Sequence, residues 1–176
     1  VGILESPNYH KLLFLTDMAV LPLPDFRQKI KQTNFVVKVA KSFGIAKPKV
    51  AFLAASEQVL DSMPACMEAA ALAKMVDRGQ IRGCIADGPL ALDVAIDNES
   101  VEIKKLVSPV AGDADCLVFP NIESANVFWK TNSKLSPGVR QAGMLVGTTA
   151  PCILASRADS VDTKLNSIAE AVMSIL

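Results

Sequence analysis

Aromatic side chains make up only 5% of the 176 residues. The core must therefore be filled by Ala, Val, Leu and Ile, a mixture that favours α/β layering over a β-sandwich. Histidine occurs once, at His10, and the four cysteines Cys66, Cys84, Cys116 and Cys152 lie far apart with no C-x-x-C pair. Those spacings exclude the usual zinc sets, so no metal site is expected, and the apolar surroundings of each cysteine point to buried free thiols in a reducing cytoplasm. Neither sign of charge is in excess, with 18 Lys and Arg against 18 Asp and Glu. No global field draws the chain to nucleic acid or anionic lipid, and an anionic ligand would need a local basic site. No apolar run approaches the roughly 20 residues that span a bilayer, and no basic-then-apolar leader opens the chain. A soluble cytoplasmic protein without membrane or nucleic-acid partners follows. G-x-G-x-x-G is missing, and Gly138 to Gly143 lacks the lysine of a phosphate-binding P-loop, so neither a dinucleotide nor an ATP fingerprint is present. The first residue is Val rather than Met, which points to trimming or to a missing upstream segment.

What is present alternates between strand and helix patterns. Val1–Leu4 and Lys11–Thr16 are short apolar runs around a turn-rich SPNYH, two strands that would pair as a hairpin. From Asp25 the positions Phe26, Ile30, Phe35, Val36, Val39 and Ala40 fall near helical spacing, and Gly44 is a stop. KVAFLAA, Lys49–Ala55, is the continuous run of a central parallel strand. Pro64 opens an alanine-rich helix that ends at Gly79, and Ile81–Ala86 is the next strand. Cys116–Phe119 is a strand, Ile122 to about Lys134 a helix, and GMLVG and PCILAS are further strand candidates. Asp97–Pro109 and Asn132–Gly138 read as loops. Val161, Leu165, Ile168, Val172 and Ile175 repeat at steps of four, three, four and three, an amphipathic helix reaching the C-terminus. The predicted class is α/β with a mostly parallel sheet.

Ligands of such sheets collect at carboxyl ends of strands, and three predicted strand ends carry unusual polar residues. At Asp87-Gly88-Pro89, glycine would let backbone approach a ligand and proline would suit the first turn of a helix. The bland alternative makes Asp87 a helix cap with Asp93 on an exposed side. Glu123, Asn126, Lys130 and Lys134 form one polar stripe at helical spacing, either a ligand-facing row or a solvated face. Ser156 and Arg157 stand before the final helix, where free amides and a guanidinium would grip phosphate. A cap by Asp159 or Ser160 with a surface arginine is equally open. Asp159 and Asp162 would repel a nearby phosphate, and one of them could serve as a base instead.

Together FLTDMAV, EAAALAKMVDRGQIRGCIADGPLALDVAI, VAGDADCLVFPNIESANVFWK and APCILASRADSVDTKLNSIAEA resemble the phosphate acetyl/butyryltransferase family. DGPLALD and SRADS are most similar to its butyryl branch. The resemblance implies transfer of a butyryl or other short acyl group between coenzyme A and inorganic phosphate by direct thiolate attack on the acyl phosphate. Acetyl transfer is the alternative, as is a non-catalytic remnant that binds coenzyme A or dimerises. It implies the isopropylmalate-dehydrogenase-like fold, two α/β domains around a three-layer architecture and a cleft, in homodimers or larger assemblies. Residues 1–176 would be the middle and C-terminal part, mainly the second domain, with the first missing and the last helix returning to it. No permanent cofactor is implied, coenzyme A being a substrate beside phosphate and acyl phosphate. Ser156 and Arg157 match the pair that holds the acyl phosphate. Lys134 stands where acetyl relatives carry a substrate-binding arginine, and Thr163 stands where they carry the thiol base, leaving that role to Asp159, Asp162 or the substrate phosphate. Asp87, Gly88, Asn126 and Lys130 complete the expected substrate contacts, with Asp93 holding the turn after Asp87.

Overall fold

The computed structural model describes residues 1–175. A seven-stranded sheet in the order β4-β3-β5-β2-β1-β6-β7 forms its centre. The strands are β1 (Gly2–Glu5), β2 (Leu13–Thr16), β3 (Lys49–Leu53), β4 (Ile85–Leu90), β5 (Cys116–Val118), β6 (Arg140–Leu145) and β7 (Cys152–Ile153). β4, β3, β5 and β2 pair in parallel. β1 runs antiparallel to both β2 and β6, and β7 antiparallel to β6. The predicted hairpin of the first two strands and the central parallel placement of Lys49–Leu53 are both present.

Alternation along the strands feeds two cores. Phe14, Val50, Phe52, Cys116 and Met144 face one side, which is covered by α1 (Phe26–Ser42), α2 (Pro64–Asp77) and α6 (Val161–Met173). Leu13, Leu15, Ala51, Leu53 and Leu117 face the other, under α3 (Leu92–Ile96) and α5 (Ile122–Leu135). The result is the three-layer α/β architecture expected. Asp25 starts α1 through a reciprocal cap, its carboxylate accepting from the Gln28 amide at 2.7 Å while Gln28 Oε1 accepts from the Asp25 amide at 2.8 Å. Gly44 follows the end of α1 with φ of +89°, where its missing Cβ is required. Lys29, buried on α1, pairs with Glu68 of α2 and ties these two helices together.

At the amino ends of β2, β3 and β5, Asp113 accepts from His10 Nε2, Lys11 Nζ and Lys49 Nζ, each at 2.8 Å. Burial opposes ionisation of Asp113, but these donors outweigh it and hold its carboxyl well below the usual carboxylate range. Among the described residues no helix is long and apolar enough to cross a membrane.

Several expectations are corrected. The fourth strand covers Ile85–Leu90 rather than Ile81–Ala86, so Asp87-Gly88-Pro89 lies inside a strand and neither caps nor opens a helix. β4 is an edge strand, where the missing N–H of a proline leaves no central ladder bond unmade. The freedom of Gly88 serves packing: a Cβ there would stand 2.7 Å from the Phe52 Cβ and 3.2 Å from that of Ala69. Asp97–Pro109 contains a further helix, α4 (Asn98–Lys104), because Asp97 accepts from the Ser100 amide at 2.8 Å and caps it. α5 continues to Leu135, into the expected second loop. Three thiols are buried as expected, but Cys152 on the two-residue edge strand β7 is exposed. In α6, Val161, Leu165, Ile168 and Val172 face outward, and the face toward the sheet carries Ser167, Glu170 and Ala171.

Candidate active site

Thr16 at the carboxyl end of β2 and Leu145 at that of β6 line a cavity of about 750 Å³. This is the end of the sheet away from the Asp113 cluster, and its volume suits a sizeable organic ligand. One wall is α1, through Gln28, Lys31, Gln32 and Phe35. A second is α5, through Glu123, Asn126, Trp129 and Lys130, and a third is the segment after β7, with Leu154, Ser156 and Asp159.

Local chemistry sets each wall. The loop leaving β2 is folded around Asp17, whose carboxylate accepts from the amides of Ala19, Val20 and Leu21 at 2.9, 3.1 and 2.9 Å. Asn121 caps α5 by accepting from the Ser124 amide at 2.9 Å. Asn126 Nδ2 then donates to the Met18 carbonyl at 2.9 Å and fixes α5 to that loop. Beyond β7 the chain turns so that Asp159 Oδ2 accepts from the Ser156 amide at 2.6 Å, while Asp159 Oδ1 stands 3.9 Å from Lys130 Nζ. Ser160, not Asp159, caps α6, accepting from the Thr163 amide at 3.1 Å. Asp159 is thereby left to face the cavity with only 12% of its side chain exposed.

The structure brings together Asn126, Lys130, Ser156 and Asp159 of the expected residues. A carboxylate, an ammonium and a hydroxyl on one concave surface suit proton removal beside an anionic group. Arg157 and Lys134 are exposed and stand outside the lining. Asp162 is exposed in the first turn of α6 and is also outside it. Asp87 and Gly88 lie on the far edge strand, where the Asp87 carboxylate accepts from the Gly88 amide at 2.8 Å. Asp93, expected to hold the turn after Asp87, instead pairs with Lys104 Nζ at the end of α4, at 2.8 Å. Sequence reasoning missed Thr16, Asp17, Gln28, Lys31 and Gln32. A signal existed on α1: Gln28, Lys31, Gln32 and Phe35 recur at steps of three, one and three, one face of a helix.

The family described as phosphate acetyl/butaryl transferase matches residues 1–172. A phosphate butyryltransferase of Clostridium acetobutylicum is 47% identical over 173 residues, 98% of this chain and 57% of that protein. A phosphate acetyltransferase of Thermotoga maritima is 43% identical over 169 residues, 96% of this chain and again 57% of the relative. The crystal structure of a branched-chain phosphotransacylase from Enterococcus faecalis V583 superimposes with a TM-score of 0.91 at 32% identity, covering 99% of this chain and 62% of that one. The chain thus spans less than two thirds of the length of each of these three proteins.

Proposed function

Since the chain belongs to the phosphate acetyl/butyryl transferase family, we propose that it carries the cavity of an acyl-CoA:phosphate acyltransferase, specifically one that moves butyryl or a similarly short acyl group. The observation that carries this reading is the meeting of Ser156, Asp159, Asn126 and Lys130 on one cavity at the sheet's carboxyl end. A thiol of the cysteine type ionises near pH ~8.5, so a base is needed to supply thiolate at neutrality. Asp159 takes the thiol proton, with the substrate phosphate as the alternative acceptor. The thiolate sulfur bonds to the acyl carbon, the carbon–oxygen bond to phosphate breaks, and phosphate leaves with that electron pair. Lys130 and the Ser156 hydroxyl stabilise the departing charge. No enzyme nucleophile enters, which agrees with thiols that are buried or, for Cys152, outside the cavity lining.

The butyryl preference is supported by the 47% identical clostridial relative and by the apolar Met18, Val20, Leu21 and Phe35 in the lining. Acetyl transfer is the second reading, favoured by the Thermotoga maritima relative. Residues 1–176 form the second α/β domain in this reading, and the outward apolar stripe of α6 is where the remainder of a family-length chain packs, in a homodimer or larger assembly. The test is thiol release by the full reading frame from acetyl-, propionyl-, butyryl- and isobutyryl-CoA in the presence of phosphate. The highest kcat/KM with butyryl-CoA is expected. A maximum at acetyl-CoA would move the assignment to the second reading, and no release from any of them would remove the acyltransferase.

A further inference from the structure

Gln32 is 6% exposed, and among the described residues neither its Nε2 nor its Oε1 has a hydrogen-bond partner. Of its polar neighbours on α1, Gln28, Lys29 and Thr33 are engaged elsewhere. Gln28 caps the helix, Lys29 pairs with Glu68, and Thr33 Oγ1 donates to the Lys29 carbonyl at 2.8 Å. Burying a carboxamide without partners is costly, and Gln32 lines the 750 Å³ cavity. We infer that the Gln32 carboxamide recognises the amide-bearing pantetheine arm of coenzyme A, Nε2 donating to an amide carbonyl and Oε1 accepting from an amide N–H.

This assignment rests on the reading of the cavity as a coenzyme A site, and the chemistry of the group selects the part of the substrate. An acyl carbonyl or a fully ionised acyl phosphate offers only acceptors and would leave Oε1 unmatched. A secondary amide offers one donor and one acceptor, the complement of an uncharged carboxamide. Phe35, one turn along the same face, and Met144 and Leu145 from β6 supply apolar surface for the methylenes between the amides. Gln32 is accordingly a binding and positioning residue for the thiol substrate, distant in role from the groups that handle phosphate.

Gln32→Leu and Gln32→Met in the full reading frame test it. The expected result is a KM for coenzyme A raised roughly tenfold, a KM for butyryl phosphate within about twofold of wild type, and a melting temperature unchanged or higher because an unmatched polar group has been removed. Unchanged KM values, KM values for both substrates rising together, or failure of both variants to fold would each overturn it. Calorimetric titration with coenzyme A separates this inference from the reading beneath it. Tenfold weaker binding by Gln32→Leu supports the inference even in a protein without turnover. Equal binding by wild type and variant overturns the inference alone, and no binding by wild type overturns both.

Discussion

Glu170 sits on the sheet-facing side of α6, 2% exposed, with both carboxylate oxygens unpartnered among the described residues. Burial pushes its pKa up from the ordinary 4.5 to about 7. The folded state therefore holds this proton more tightly than the unfolded chain, and the stabilisation is full below about pH 4.5 and lost as pH rises through about 7. Glu170→Gln should flatten that slope and raise the melting temperature at pH 8 but not at pH 4. Thermal melts of both proteins across this range measure it, and parallel profiles would count against a buried, unpaired carboxylate. Asp159 presents the opposite case, a carboxylate at the cavity held by the Ser156 amide. Asp159→Asn keeps an oxygen acceptor for that amide but removes the proposed base, so kcat should fall by about a hundredfold or more with the melting temperature within a few degrees of wild type. Steady-state kinetics of the full reading frame and a thermal melt together check the outcome.

Among the elements, α6 departs furthest from the simple rule that an apolar stripe is a buried one. The repeat Val161, Leu165, Ile168, Val172 predicts a helix, and a helix is there. Periodicity carries no information about which neighbour covers the stripe, and the side turned to the sheet is polar: Ser167 Oγ accepts from the Gly143 amide at 2.9 Å and donates to the Thr163 carbonyl at 2.7 Å. Leu165→Asp should leave the isolated residues 1–176 folded, since Leu165 is 62% exposed, yet lower the melting temperature of the full reading frame. Paired calorimetric melts decide this, and equal effects on both would place the cover within residues 1–176. Legibility elsewhere followed the same logic. α1, α2 and β3 were visible because helical spacing of apolar residues, alanine-rich composition and a continuous apolar run are local signals. β4 was displaced by four residues because glycine and proline read as a break, whereas here they fit an edge strand packed tightly on Phe52 and Ala69. α4 was lost because a polar, seven-residue helix shows no apolar period. Of the site, the residues that stood out at strand ends or on one polar stripe were found in part, while Lys31 and Gln32 carried only the fainter signal of one helix face shared with Gln28 and Phe35.

Taken whole, the molecule divides its work between the two ends of one sheet. The amino ends of β2, β3 and β5 are fastened by Asp113 and its three cationic or imidazole donors, and the carboxyl ends of β2 and β6 open onto the cavity. Between the parallel block and the β6-β7-α6 portion runs β1 alone, four residues antiparallel to both neighbours. The cavity straddles this seam, since Thr16, α1 and α5 belong to the block and Leu145, Ser156 and Asp159 to the portion beyond it. Amide exchange followed by mass spectrometry should resolve two cooperative units, with β6 and α6 exchanging earlier than β3 and β5, and a single unit would show that the seam transmits no independence. The wall with Ser156 and Asp159 and the wall of α1 thus stand on opposite sides of β1, so two separate exchange units would make the width of the gap depend on how that one strand holds its neighbours.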